Sequence, residues 1–295
     1  MNAPSAQPLP VAGIAYAVLA MACFAVLDTT NKFLIASVPL LMVLWFRYTF
    51  QALASTAVMW PRNGMAMFQT HNFRLQMVRG LLLMLCSLLG FTSLQYMPVA
   101  EFTAFIMLTP LVVTALARFV MKEQVSGWRW MFVSGGLVGA LLIVRPGGSM
   151  DTRHAWLPLS LVISNAVFQI LTSHMAKTES PVTMHLYTGW VGALIASVLV
   201  TWGAWTTVLS PLEWGLMVLI GCAGTLGHYL LILAFSHAPA ASVTPFLYSG
   251  IAFATFAGWL VFAHMPDLWA RLGMVLIALC GVGAAWLSHR EHNNL

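Results

Sequence analysis

From residue 214 to residue 266 the chain runs for 53 residues without one Asp, Glu, Lys or Arg. A soluble domain carries about one charged residue in four, so this stretch cannot lie on a water-facing surface. One helical crossing of a bilayer takes about 20 apolar residues. Fifty-three is too many for one span and suits two, divided at His237-Ala238-Pro239. The rest of the chain follows suit, with 60% hydrophobic and 7% charged residues. Backbone polar groups in hydrocarbon must be satisfied within the segment, which selects helices. The fold class is an all-α integral membrane protein.

The division at Pro239 has a precedent earlier in the chain. Tyr96-Met97-Pro98-Val99-Ala100-Glu101-Phe102-Thr103-Ala104-Phe105 aligns without a gap on His237-Ala238-Pro239-Ala240-Ala241-Ser242-Val243-Thr244-Pro245-Phe246, and 237 minus 96 is 141. The same shift carries Gly80 to Gly221, Ala25-Val26 to Ala166-Val167, and Trp128 to Trp269. Twice 141 nearly exhausts a chain of 295 residues, so two copies of one unit are expected. The linker between them is the Arg145-Pro146-Gly147-Gly148 cluster, which runs on through Arg153. This gives repeats over 1–146 and 154–295, joined by 147–153.

Ten spans are expected, at about residues 11–35, 39–60, 72–95, 98–121, 129–145, 154–175, 181–201, 211–235, 240–263 and 268–288. Pro61-Arg62-Asn63-Gly64 reads as the turn closing the second. The first ten residues hold no Lys or Arg, so the first span reads as uncleaved. With the N-terminus inside, the inner ends collect Arg62, Arg74, Arg79, Arg118, Lys122, Arg129, Lys177 and Arg290, against Lys32, Arg145, Arg153 and Arg271 outside. The bias puts both termini in the cytoplasm. Five spans per copy is an odd number, so the second copy is inverted, which is a transporter architecture with a central cavity.

Several function classes drop out. A net charge of +5 sited mainly at span ends is anchoring, not a nucleic-acid footprint. Cys23, Cys86, Cys222 and Cys280 fall in apolar segments with no Cys-x-x-Cys, which leaves no disulfide framework and no metal site. Neither a His-Glu-x-x-His, a Gly-x-Ser-x-Gly nor a phosphate loop is present, and no enzyme or cofactor is expected.

Charges inside spans are costly, about 2.5–3.5 kcal/mol even on lenient scales, so they mark partners or sites. Phe24, Asp28, Asn31 and Lys32 share one face of the first span by their spacing. Asp28 lies roughly 10 Å deep and Arg47, on the second span, roughly 12 Å deep. One reading pairs the two and lets Lys32 reach the surface; the other has the cluster border a cavity and grip a substrate's charges. The shift turns Asp28 into Gln169 and Lys32 into Ser173, so those charges belong to one half. Asn165 and Gln169 still form a polar face on the sixth span. His228 is the proton-responsive candidate, and Tyr248, three residues after Pro245, the aromatic candidate for the cavity.

The ordered pieces of the repeat resemble the drug/metabolite transporter superfamily, in its ten-span EamA-like branch. The pieces are Pro98-Val99-Ala100-Glu101-Phe102-Thr103, Pro110, Met121-Lys122-Glu123, Trp128-Arg129-Trp130, Gly135-Gly136 and Pro239-Ala240-Ala241-Ser242. One departure is His264 at the counterpart of Glu123. Within that branch the chain looks like the YddG-type exporters of aromatic and other amino acids. The resemblance implies a monomer in a bacterial inner membrane that exports amino acids by alternating access. Phe24, Asp28, Asn31, Lys32, Arg47, Asn165, Gln169, His228 and Tyr248 would contact substrate, and Pro98, Pro110, Pro239 and Pro245 would act as hinges. The alternative is a multidrug or other metabolite carrier using Asp28 for proton coupling.

Overall fold

A computed structural model describes residues 11–109, 111–112, 127–144, 152–176, 178–200, 208–237 and 246–293. Among these residues there are ten α-helices: α1 (Val11–Leu34), α2 (Leu40–Asn63), α3 (Phe73–Tyr96), α4 (Val99–Ile106), α5 (Gly127–Val144), α6 (Trp156–Met175), α7 (Pro181–Leu199), α8 (Pro211–His237), α9 (Ser249–Phe262) and α10 (Leu268–Asn293). Prolines open several of them. Pro39 and Pro98 occupy the N-cap positions of α2 and α4, and Pro181 starts α7, where a missing N–H costs nothing. Pro110, Pro239 and Pro245 lie outside the described residues.

Four helices, α1, α3, α7 and α8, are long and apolar enough to cross a bilayer by themselves. Shorter apolar stretches occupy α5, α6, α9 and α10. The outer surface is studded with Leu53, Leu81, Leu141, Leu194, Val198, Leu260 and Leu279, while the interior holds Arg47, Gln51, Gln76, Arg79 and His185. That distribution suits a chain whose solvent is lipid and whose polar groups find partners inside.

Two expectations need correcting. The turn predicted from Pro61 starts later: α2 runs on through Pro61 to Asn63 and stops at Gly64, whose φ of 51° suits glycine. Arg79 is no end charge in contact with water. It is 2% exposed and held inside the bundle.

The main helix contacts all join the first five helices to the last five. α1 packs on α8 and α9, α2 on α7 and α8, α3 on α6 and α7, α4 on α6 and α9, and α5 on α10. Close approach at two glycines makes this possible. A Cβ on Gly80 would come within 2.6 Å of Val191, and one on Gly221 within 2.6 Å of Phe50.

Contacts at the helix ends fix which end meets which. Lys32 Nζ, at the end of α1, donates to the Leu94 and Met97 carbonyls at the end of α3 (2.6 and 2.8 Å). Ser37 donates to Glu213 in the first turn of α8 (2.7 Å). The Tyr96 ring stacks on His154 just before α6. His264, after α9, lies 3.2 Å from the buried Glu101 near the start of α4. Ala263 precedes it in a left-handed conformation (φ 52°). At the other end, Glu179 Oε1 accepts from Thr70 Oγ1, His71 N and Asn72 N (2.8, 2.9 and 3.0 Å), tying the start of α7 to the start of α3. Tyr16 in α1 meets His237 at the end of α8.

Candidate functional site

Between the two sets of helices lies a cavity of about 160 Å³. Its polar lining comes from Asp28 on α1, Arg47 on α2, Ser87 on α3, Thr103 on α4, Asn165 and Gln169 on α6, and His228 on α8. Phe24, Phe91, Phe102 and Phe168 supply aromatic surface. The wall is thus apolar with a few polar groups converging on it, the usual composition of a small-molecule site.

Arg47 dominates the geometry. It is 1% exposed, with Nη1 donating to Ser87 Oγ (3.0 Å) and Nη2 to His228 Nε2 (3.0 Å). Its guanidinium carbon stands 4.5 Å from the Tyr48 ring centroid and 5.7 Å from that of Phe91. Nε has no hydrogen-bond partner among the described residues and faces Gly224, where a Cβ would come within 2.9 Å. A larger residue on α8 would push the guanidinium out of place.

Proton positions follow from donor counting. Tyr48 donates its one O–H to the Leu83 carbonyl (3.0 Å), so across the 2.7 Å contact with Ser87 it accepts. The bonds therefore point one way: Arg47 to Ser87, Ser87 to Tyr48, Tyr48 to Leu83. A guanidinium can only donate, so His228 Nε2 is a lone-pair acceptor and the imidazole is neutral with its proton on Nδ1. Phe24 fixes that ring from α1 with an edge contact at 4.9 Å.

The direct Asp28–Arg47 pair, one of the two readings of the sequence, does not form. Among the described residues no ion pair within 4.0 Å joins them, because neutral partners already hold Arg47. Both groups nevertheless face the same cavity. Asn165 also faces it and donates to Thr109 (3.2 Å).

Three predicted site residues stand elsewhere. Lys32, half-buried, caps the C-terminal carbonyls of α3 instead of lining the cavity. Asn31 is fully buried off the cavity, with neither amide atom bonded among the described residues. Tyr248 packs against Gly281 of α10 outside the lining, its hydroxyl buried without a partner among the described residues. Spacing alone missed Ser87 and the rings of Phe91, Phe102 and Phe168. Ser87 did carry a signal: 228 minus 87 is 141, the repeat shift, so it occupies the position equivalent to His228.

The chain is similar to curated transporters along most of its length. It is 26% identical to the S-adenosylmethionine uptake transporter of Rickettsia prowazekii, over 90% of this chain and 89% of that protein. It is likewise 26% identical to the pseudopaline exporter CntI of Pseudomonas aeruginosa, over 90% and 93%. The riboflavin transporter of Brucella anthropi is 25% identical, over 81% and 86%. A crystal structure at 16% identity shares the fold, with a TM-score of 0.65 over 96% of this chain and 98% of that one. Matches to one family cover residues 11–145 and again 154–285, so the chain belongs to the EamA-like transporter family.

Proposed function

We propose that this transporter exports amino acids, aromatic ones among them, through the cavity between its halves. One observation carries the reading: Asp28 and Arg47 face the same cavity without neutralising each other. A buried charge is stable only with a counter-charge or water. A zwitterion brings both counter-charges, its ammonium for Asp28 and its carboxylate for Arg47. The four phenylalanines would receive an apolar or aromatic side chain. Such surface discriminates weakly, since one methylene is worth about 1–3 kcal/mol, so several neutral amino acids would be carried.

Alternating access by two inverted repeats, 1–146 and 154–295, is the mechanism we infer. Exchanging α1–α5 for α6–α10 maps the main helix contacts between the halves onto themselves, which supports the repeat. Gly80 with Val191 and Gly221 with Phe50 are one contact made twice, since 221 minus 80 and 191 minus 50 are both 141. The end contacts run α6, α8 and α9 antiparallel to α1, α3 and α4, as inversion requires. The family matches fall on the same two stretches. Hinging at Pro98, Pro110, Pro239 and Pro245, a monomeric state, an inner-membrane location and cytoplasmic termini complete the proposal.

The test is flux of labelled phenylalanine by purified protein in liposomes, with phenylalanine methyl ester and a cationic dye as comparisons. Phenylalanine flux that falls in Asp28→Asn and in Arg47→Gln is the expected result. Equal flux of phenylalanine and its ester would refute head-group recognition. Dye flux without amino-acid flux would favour a multidrug carrier using Asp28 for proton coupling. The relatives are named for uptake as well as export, so net direction is read in the same experiment.

A further inference from the structure

We propose that Arg79 is a second carboxylate-binding group, the second half's counterpart of Arg47, which a transported carboxylate occupies in turn with Arg47. This rests on the zwitterion reading above. The position equivalent to Arg47 in the second half is Thr188, since 188 minus 47 is 141, so α7 itself supplies no cation there. Arg79 reaches across from α3 and fills the place. Its Nη1 donates to Thr188 Oγ1 (2.6 Å) and to the Met184 carbonyl (2.7 Å), and its Nε to Thr172 Oγ1 (2.9 Å). A guanidinium is thereby restored at the site that the sequence of the second half leaves neutral.

All of these partners are neutral. Among the described residues no carboxylate lies within 4.0 Å of Arg79, and Nη2 makes no hydrogen bond. A neutral amide could pin three helices at lower desolvation cost, so a permanent charge at 2% exposure calls for an anion. The cavity is close by. The Arg79 guanidinium carbon stands 5.0 Å from the Phe168 ring centroid, and Phe168 lines the cavity, as does Leu83 one turn further along α3. The ligand class is the carboxylate of the same amino acids, handed between two guanidiniums at equivalent positions of the two halves.

The experiment is phenylalanine flux in liposomes with variants that purify as monodisperse protein. Arg79→Gln should lower flux by at least about tenfold, the effect of one lost charge-assisted contact. Moving the guanidinium onto α7, with Arg79→Thr and Thr188→Arg together, should restore most of it. Undiminished flux in Arg79→Gln overturns the proposal, and so does a folded double variant that recovers nothing. If Arg79→Gln does not fold, Arg79→Lys decides, because lysine keeps the charge but cannot bridge the three partners. Flux retained by that variant supports the second site; flux and thermal stability that fall together assign Arg79 to packing. Undiminished flux in Arg47→Gln would instead sink the zwitterion reading itself, whatever Arg79 does.

Discussion

Ser87 and His228 hold one guanidinium between them, and their positions differ by the repeat shift of 141. Arg47 is therefore grasped by equivalent residues of the two halves, a hydroxyl from one and an imidazole nitrogen from the other.

That arrangement makes the acceptor at position 228 the quantity to vary. His228→Phe would leave a buried guanidinium donor without a partner, at a cost of about 1–3 kcal/mol. His228→Gln keeps a side-chain acceptor and should lose less than half as much. Thermal unfolding of the two purified variants in detergent checks the ordering; equal losses would mean the hydrogen bond is not what matters there.

The repeated glycine contact predicts matched penalties. Gly80→Ala and Gly221→Ala each push a methyl to 2.6 Å from a side chain and should each destabilise by about 1–3 kcal/mol. Adding Val191→Gly to the first, since the Val191 Cβ is itself 2.6 Å away, and Phe50→Ala to the second should recover part of the loss. Unfolding midpoints of the four variants supply the comparison, and a penalty at only one glycine would break the equivalence.

Asp28 and Arg47 should behave as separate sites for stability. Because no direct ion pair joins them, a double-mutant cycle of Asp28→Asn with Arg47→Gln is expected to show coupling under about 1 kcal/mol. Folded yield rescued by the double change would show that the two touch.

Ala263 is the only non-glycine with positive φ among the described residues, and it sits at the C-cap of α9. Ala263→Gly should stabilise the protein by about 0.5–1 kcal/mol by removing the Cβ penalty of the left-handed conformation. A lower unfolding temperature for this variant would mean that extra chain freedom in the unfolded state outweighs the relief.

Most helix positions among the described residues were legible in the sequence because hydrocarbon imposes a length and excludes charge. Phe24, Asp28, Arg47, Asn165, Gln169 and His228 were legible as cavity residues for the same reason, since a polar group deep in a span has few other uses. Lys32 was not. Its helical angle matches that of Asp28, but the open carbonyls ending α3 lie within reach of a four-carbon side chain. Tyr248 failed because depth along a helix does not say which neighbour the ring meets, and Gly281 offered it a slot. Arg79 looked like an end charge because its helix starts only six residues earlier, and only the packing of α3 against α6 and α7 draws it inside.

The bonds running from Arg47 through Ser87 and Tyr48 end on the Leu83 carbonyl. A proton wire needs an origin that can release a proton and an end that can pass one on. This file begins at a guanidinium that stays charged and stops at a peptide oxygen already engaged in its helix, so it conducts nothing. A proton moving with the substrate would need a carrier outside this file, and Asp28 and His228 are the carboxylate and the imidazole on the cavity wall.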